Sequence, residues 1–397
     1  MRLRNQIVWA LVLQGGGALA GLITIALLGA YLGPAAQGTF NLVKVEVAFI
    51  GSIASLGLTQ SVFYYIQSCR MSIERAKQIA VVMALLGGIS ALGYGVSVQS
   101  WLGFDLIAFV FACVAYVWFG FLRGMVLALA TTRIFNLMSA MPQGLLLFYA
   151  GSVVLVGDSN VIDVALAFTT SFGVSAVFGS RYIAAAALEA RRPSTETTLP
   201  NVIRFGLATG IAEVAASASL LLAVKAVGNT FGLIELGVFT FGVAIVQGLL
   251  LPITYTVPLL FKRWMEYPDA AVSMKSAILV IVVLGGGAFI VRYLMNNLVP
   301  SAWLGTYSLM TSFLWILLLS AAFDGSHRIL TAYANSQGTP WLSATSEMLR
   351  LVLLVSGLAF LPLVQLSDVA WIVFIAAVAS SMMLIITHSR MKSPKKV

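Results

Sequence analysis

Twelve apolar runs, each about the length that crosses a bilayer, succeed one another between residues 7 and 388. A hydrocarbon core takes about 20 helical residues per crossing. Inside it only helices and closed barrels satisfy their backbone groups. The runs fall at 7–32, 39–67, 78–98, 104–122, 135–156, 161–181, 202–226, 235–261, 276–297, 303–323, 342–363 and 368–388. They predict an all-α polytopic membrane protein of about twelve transmembrane helices. Composition agrees: 60% of residues are hydrophobic and only 9% are charged, a balance that water-soluble domains do not carry.

The formal net charge of +9 does not point to nucleic acid, because its distribution explains it. All but Lys44, Lys225 and Arg292 of the 23 Lys and Arg fall to one side of the predicted layout, among them Arg2, Arg4, Arg70, Arg123, Arg328 and Arg350. The opposite loops hold Asp105, Asp158, Asp163, Glu235 and Asp368. Basic loops stay in the cytoplasm, so both termini are expected there. Arg2 and Arg4 precede a long first run with no small-residue cleavage site, so the first helix is expected to remain. Cys69 and Cys113 make neither a disulfide framework nor a metal site, and no metal or other cofactor is expected.

The stretch from Gly29 to Glu46 joins the first two runs. A tight Gly33-Pro34 turn and a short uncharged loop to Gly38 are expected there. The stretch recurs: Gly33, Gly38 and Phe40 match Gly232, Gly237 and Phe239, each 199 residues on. Arg123, Ala128 and Ala130 match His327, Ala332 and Ala334 at an offset of 204. Two related halves are therefore expected: a six-helix bundle over 1–190, a polar linker over 191–201 and a second bundle over 202–397. An even number of spans gives both halves one orientation, with the substrate path between them.

Polar faces inside the runs mark candidate cavity residues. Asn41, Lys44, Ala48, Ser52, Ser55 and Thr59 follow helical spacing in the second run. Close helix packing uses small residues too, but charge in lipid faces a cavity or a partner, which singles out Lys44. Glu46 points to another face and is expected to pair with a different helix. Thr209, Glu213 and Ser217 share a face of the seventh run. Glu213 lies about 16 Å from that run's start at about 1.5 Å per residue, and a carboxyl at this depth suits a proton- or sodium-coupling site. Gln14, Gly17, Gly21 and Thr24 stripe the first run, and Thr240, Gln247 and Thr254 the eighth. Pro252 and Pro258 are expected to kink the eighth. Gly15–Gly17 and Gly285–Gly287 permit bending or close packing. If the tenth helix continues to about Asn335, Asp324, His327 and Arg328 share a face at the cytoplasmic mouth, and His327 brings a group that titrates near neutral pH. A solvated helix end is the other reading of that face.

The chain has no Walker A loop, HExxH, paired CxxC or GxSxG, and no loop cluster of acids and histidines. An enzyme is not expected, and passage through the bilayer is.

Leu32-Gly33-Pro34-Ala-Ala-Gln-Gly38-Thr-Phe40 resembles the Leu-Gly-Pro-x-x-x-Gly-x-(Phe/Tyr) signature after the first helix of bacterial polysaccharide exporters. These are the Wzx-type O-antigen and capsule flippases of the MOP superfamily, which also holds the MATE multidrug exporters. Arg123-Gly124 with Ala128 and Arg133 is similar to that family's fourth-helix end, and Leu298–Leu304 with Tyr333–Gly338 to its ninth-to-tenth helix region. The resemblance implies a V-shaped, MATE-like pair of six-helix bundles in the bacterial inner membrane, working by alternating access. The substrate implied is an undecaprenyl-diphosphate-linked oligosaccharide flipped to the periplasmic leaflet. Implied partners are membrane lipids, H+ or Na+ as coupling ion through Glu213, Asp324 or His327, and glycan polymerase or assembly proteins. Such flippases line their cavity with cations; here Lys44 is the clear one, and Arg4, Arg70, Arg123 and Arg328 are rim candidates for the diphosphate. Two alternatives stay open: a MATE-like small-molecule antiporter, and a non-transporting scaffold of a glycan assembly complex.

Overall fold

The computed structural model describes residues 3–99, 103–129, 132–156, 161–189, 196–297 and 305–390. Among these residues the chain is helical throughout, with no strand. The helices are α1 (Leu3–Ser55), α2 (Leu58–Gln67), α3 (Ile73–Ser97), α4 (Phe104–Leu129), α5 (Thr132–Val156), α6 (Val161–Glu189), α7 (Leu199–Phe231), α8 (Leu233–Glu266) and α9 (Ala270–Asn297). A 3-10 turn (Gly305–Leu309) leads into α10 (Met310–Ser336), followed by α11 (Trp341–Phe360) and α12 (Leu366–Arg390). Among the described residues, ten helical stretches can cross a membrane by length and composition. The first of them, Val12–Ser55, is 44 residues long and bends at Gly33. It therefore holds most of the first expected run and most of the second. Thr132–Val156 is helical but is not among the ten.

The loop expected from Gly33 to Gly38 is a single-residue break. Gly33 takes φ 81 and ψ 173, and the helix resumes at once. Pro34 permits this, since at the first position of a helix its missing N–H is not needed. Gly232 takes φ 105 and ψ −179 at the start of α8. The two repeat-equivalent glycines share one backbone conformation, in a region that favours glycine. A second break divides α1 from α2, where Leu56 (φ 46) and Gly57 (φ 65) both turn left-handed. Helix α8 contains both Pro252 and Pro258 within its length.

Contacts divide the chain into two compact units. One comprises Met1–Leu32 with Val43–Ser217, the other Gly33–Leu42 with Ala218–Val397. In the first unit α4 packs on α2, α3, α5 and α6. Phe109, Phe121, Met125, Phe135, Met138 and Phe168 are buried there. In the second, α10 packs on α8, α9 and α12, and α11 on α12, around Phe239, Phe313, Leu317 and Val369. The triple glycines differ in use. Gly17 packs against Ala140 of α5, whereas Gly285, Gly286 and Gly287 meet nothing within 4 Å. Large apolar side chains line exposed faces of α3 (Leu85, Ile89, Leu92) and α9 (Leu279, Val282, Ile290), as lipid solvation requires.

Candidate functional site

In the first unit the polar groups converge on the α1–α2 break. Leu56 N donates to Ser52 O at 3.2 Å, ending α1, and Gln60 N donates to Gly57 O at 3.1 Å, opening α2. Helix α7 passes directly behind: a Cβ on Gly206 or Gly210 would run into Leu56 or Leu58. Thr209 lies between those glycines and donates its hydroxyl to Gly57 O at 3.0 Å. One turn on, Glu213 Oε1 accepts from Gln60 Nε2 at 2.7 Å, with the Ser55 hydroxyl close by. Ser217 returns its hydroxyl to Glu213 O at 2.8 Å. So Thr209 and Ser217 serve the backbone, and Glu213 is the member with chemistry to offer. Its nearest donors are neutral.

The break also splits the expected stripe of the second run. Ser52 and Ser55 bond their own helix, to Phe49 O (2.8 Å) and Ser52 O (3.2 Å). Thr59 lies beyond the break and packs against Gly124 of α4. It is out of register with Ser55 because two left-handed residues interrupt the helical phase. Lys44 is half-buried and makes no hydrogen bond or ion pair among the described residues. Glu46 is fully buried and finds the different helix expected for it: Tyr94 of α3 donates its hydroxyl at 2.8 Å, and Gln99 its amide. Gln14 donates to Asn136 of α5, both side chains fully buried.

In the second unit Asn41 donates to Thr240 Oγ1 at 3.3 Å, a pair 199 residues apart. Gly38 and Gly237, at the same offset, are also in contact. Tyr307 donates to the buried Gln37 at 2.6 Å. The charged face of α10 is answered by α11. Asp324 pairs with Arg350 at 2.7 Å. His327 Nδ1 lies 3.3 Å from Glu347 Oε1, and its Nε2 lies 2.9 Å from Ser346 Oγ. Arg328 donates to Thr254 of α8 at 2.6 Å. The helix continues to Ser336, so this face belongs to a packed helix pair; it is not a solvated end. Arg328 and Arg350, counted by sequence among the loop cations, both lie inside helices and are partnered.

The other rim candidates separate. Arg123 donates to Ser139 Oγ at 2.8 Å and covers the Phe135 ring. Arg70 is exposed in the α2–α3 turn, where its carbonyl accepts from Thr197 N at 2.8 Å. Arg4 lies in α1, but its side chain is outside the described residues, as are Arg2 and Ala130 of the second repeat match. Gln247 is half-buried in α8. The cleft between α5 and α6, about 570 Å³ and lined by Phe148, Tyr149, Asp163 and Thr170, holds none of the expected site residues. Sequence reasoning missed Gln60, Glu347 and Arg350 as partners. Glu347 and Arg350, charged and three residues apart in an apolar run, were the available signal.

No protein-family model matches the chain, and no curated protein matches it. Solved structures do. The Vibrio cholerae MATE transporter VcmN in its bent form is 14% identical, with a TM-score of 0.62 over 97% of this chain and 94% of that one. An outward-facing multidrug resistance MATE transporter of the MOP superfamily is 16% identical, TM-score 0.65, over 97% and 94%. A MOP superfamily transporter from Pyrococcus furiosus, described as having a binding pocket of reverse polarity that suggests a different function, is 16% identical, TM-score 0.63, over 97% and 94%. The chain is thus an all-helical protein with the fold of the MATE transporters of the MOP superfamily.

Proposed function

We propose that this protein flips an undecaprenyl-diphosphate-linked oligosaccharide across the bacterial inner membrane by alternating access, coupled to H+ or Na+ through Glu213. The observation that carries the reading is the twin glycine break. Gly33 of the Leu-Gly-Pro-x-x-x-Gly-x-Phe signature and its repeat-equivalent Gly232, which shares the later Gly and Phe but not the Leu and Pro, take the same positive-φ conformation, in a chain whose transporter-like fold spans nearly its whole length. Two features support it. Lys44 brings a half-buried cation without an acidic partner among the described residues, as an anionic headgroup needs. Glu213 brings a carboxylate held by neutral donors at a helix break, as ion coupling needs. Two six-helix bundles, 1–190 and 202–397, and cytoplasmic termini belong to the same proposal.

The test is surface glycan in a strain deleted for the gene, read together with the pool of lipid-linked intermediate. The reading requires glycan to vanish and intermediate to accumulate on the cytoplasmic side. Complementation with Glu213→Gln should fall at least about tenfold short of wild type, since the charge is removed while the bond to Gln60 remains. Wild-type complementation by both Glu213→Gln and Glu213→Ala would end the coupling role. The second reading, a small-molecule antiporter, is favoured by the MATE transporters among the structural neighbours. It requires normal glycan and changed drug tolerance in the same strain.

A further inference from the structure

The α10–α11 pair holds a cluster that transport of a substrate does not by itself explain. His327 and Glu347 are 3% and 8% exposed, and both lie inside helices. The hydrogen bonds suit the imidazole both neutral and protonated. Nδ1 faces Glu347 Oε1 at 3.3 Å, where two lone pairs would repel, so a hydrogen on Nδ1 lies between them. Nε2 lies 2.9 Å from Ser346 Oγ, which is also 2.9 Å from Ser343 O. The Ser346 hydroxyl can donate to bare Nε2, or turn to Ser343 O and accept from Nε2–H.

The surrounding charges favour an exchangeable proton over a fixed one. The charged groups acting on the imidazole are Glu347 and Arg350 of α11 and Asp324 and Arg328 of α10. Asp324 and Arg350 neutralise each other at 2.7 Å. Arg328 is turned to Thr254. With His327 neutral, two carboxylates balance two guanidinium groups and the cluster has no net charge. One proton on Nε2 makes it +1 and gives Glu347 a cationic partner, since Asp324 takes Arg350 and Arg328 is turned away. Glu347 Oε2 is buried and makes no hydrogen bond among the described residues.

We propose that His327 and Glu347 form a proton-binding site: the neutral imidazole, its Nδ1–H held by the Glu347 carboxylate, takes up one proton at Nε2, giving an imidazolium–carboxylate pair, and releases it while the Ser346 hydroxyl turns between Nε2 and Ser343 O. Its use in transport rests on the function proposed above, but the site itself does not. The chain has only two histidines, His327 and His388, so the test is a two-signal experiment. The full-length protein, labelled with ¹⁵N-histidine in liposomes, is followed by solid-state NMR from about pH 5 to about pH 8. His388→Gln assigns the signals. The His327 Nε2 resonance should convert between bare and protonated forms within that range. In Glu347→Gln the conversion should be lost while the His388 signal, held by Ser273 and Ala270 O, stays in place and reports an intact fold. A His327 signal that is unchanged with pH, or that converts identically in Glu347→Gln, overturns the proposal. No substrate enters the measurement, so it stands or falls separately from the glycan experiment.

Discussion

Several buried polar side chains are matched in pairs, and the pairs predict how each will fail. Gln14 donates one side-chain hydrogen bond to Asn136 Oδ1, and both residues are fully buried. Gln14→Leu strands Asn136 Oδ1, which costs about 1–3 kcal/mol for an unsatisfied buried group. A lowered melting temperature in detergent is the readout. Arg350→Gln leaves the Asp324 carboxylate without its counter-ion, so it should destabilise more than the double change Arg350→Gln with Asp324→Asn. A double-mutant thermal cycle measures this, because breaking a buried pair is worse than removing it. Glu213, Asp324 and His327 were legible as single letters, since an ionisable residue in an apolar run stands out. Gln60 was not: glutamine is ordinary at a helix end, and its partner lies 153 residues away.

Helices here are set by where glycine lets the backbone turn or touch. A Cβ on Gly237 would fall on the Pro34 carbonyl, and one on Gly285 would meet nothing. Gly237→Ala should therefore cut folded yield severely while Gly285→Ala leaves it within error, read by size-exclusion of the purified variants. Gly33→Ala forces a side chain into φ 81 and ψ 173, an essentially glycine-only region, at about 1–3 kcal/mol, so it should show an intermediate loss. The repeat of Gly33 and Gly38 at Gly232 and Gly237 was visible as spacing. The α1–α2 break was not, because Leu56-Gly57 sits in an unbroken apolar run and its left-handed turn is stabilised by Thr209, Gly206 and Gly210 of α7. The same break explains why the small polar stripe of the second run did not survive as one face.

Across the whole molecule, apolar length and basic asymmetry make a directional prediction. Cys69 is exposed beside Arg70, and Cys113 is buried. A membrane-impermeant maleimide should label Cys69 in inverted vesicles and not in intact spheroplasts, and should label Cys113 in neither. Labelling of Cys69 from outside would reverse the expected orientation. The sequence by itself determined the helical class, close to where each helix runs, and the doubling of the glycine signature, because lipid imposes length and polarity on every crossing independently of its neighbours. Only the tertiary structure decided which polar residues meet: Gln60 with Glu213, Thr209 with the Gly57 carbonyl, Glu347 with His327, Arg350 with Asp324. Those pairings depend on how helices far apart in the chain, or one after another, turn their faces to each other. In a bilayer that choice is made by close packing and hydrogen bonding between particular side chains, which hydropathy does not encode.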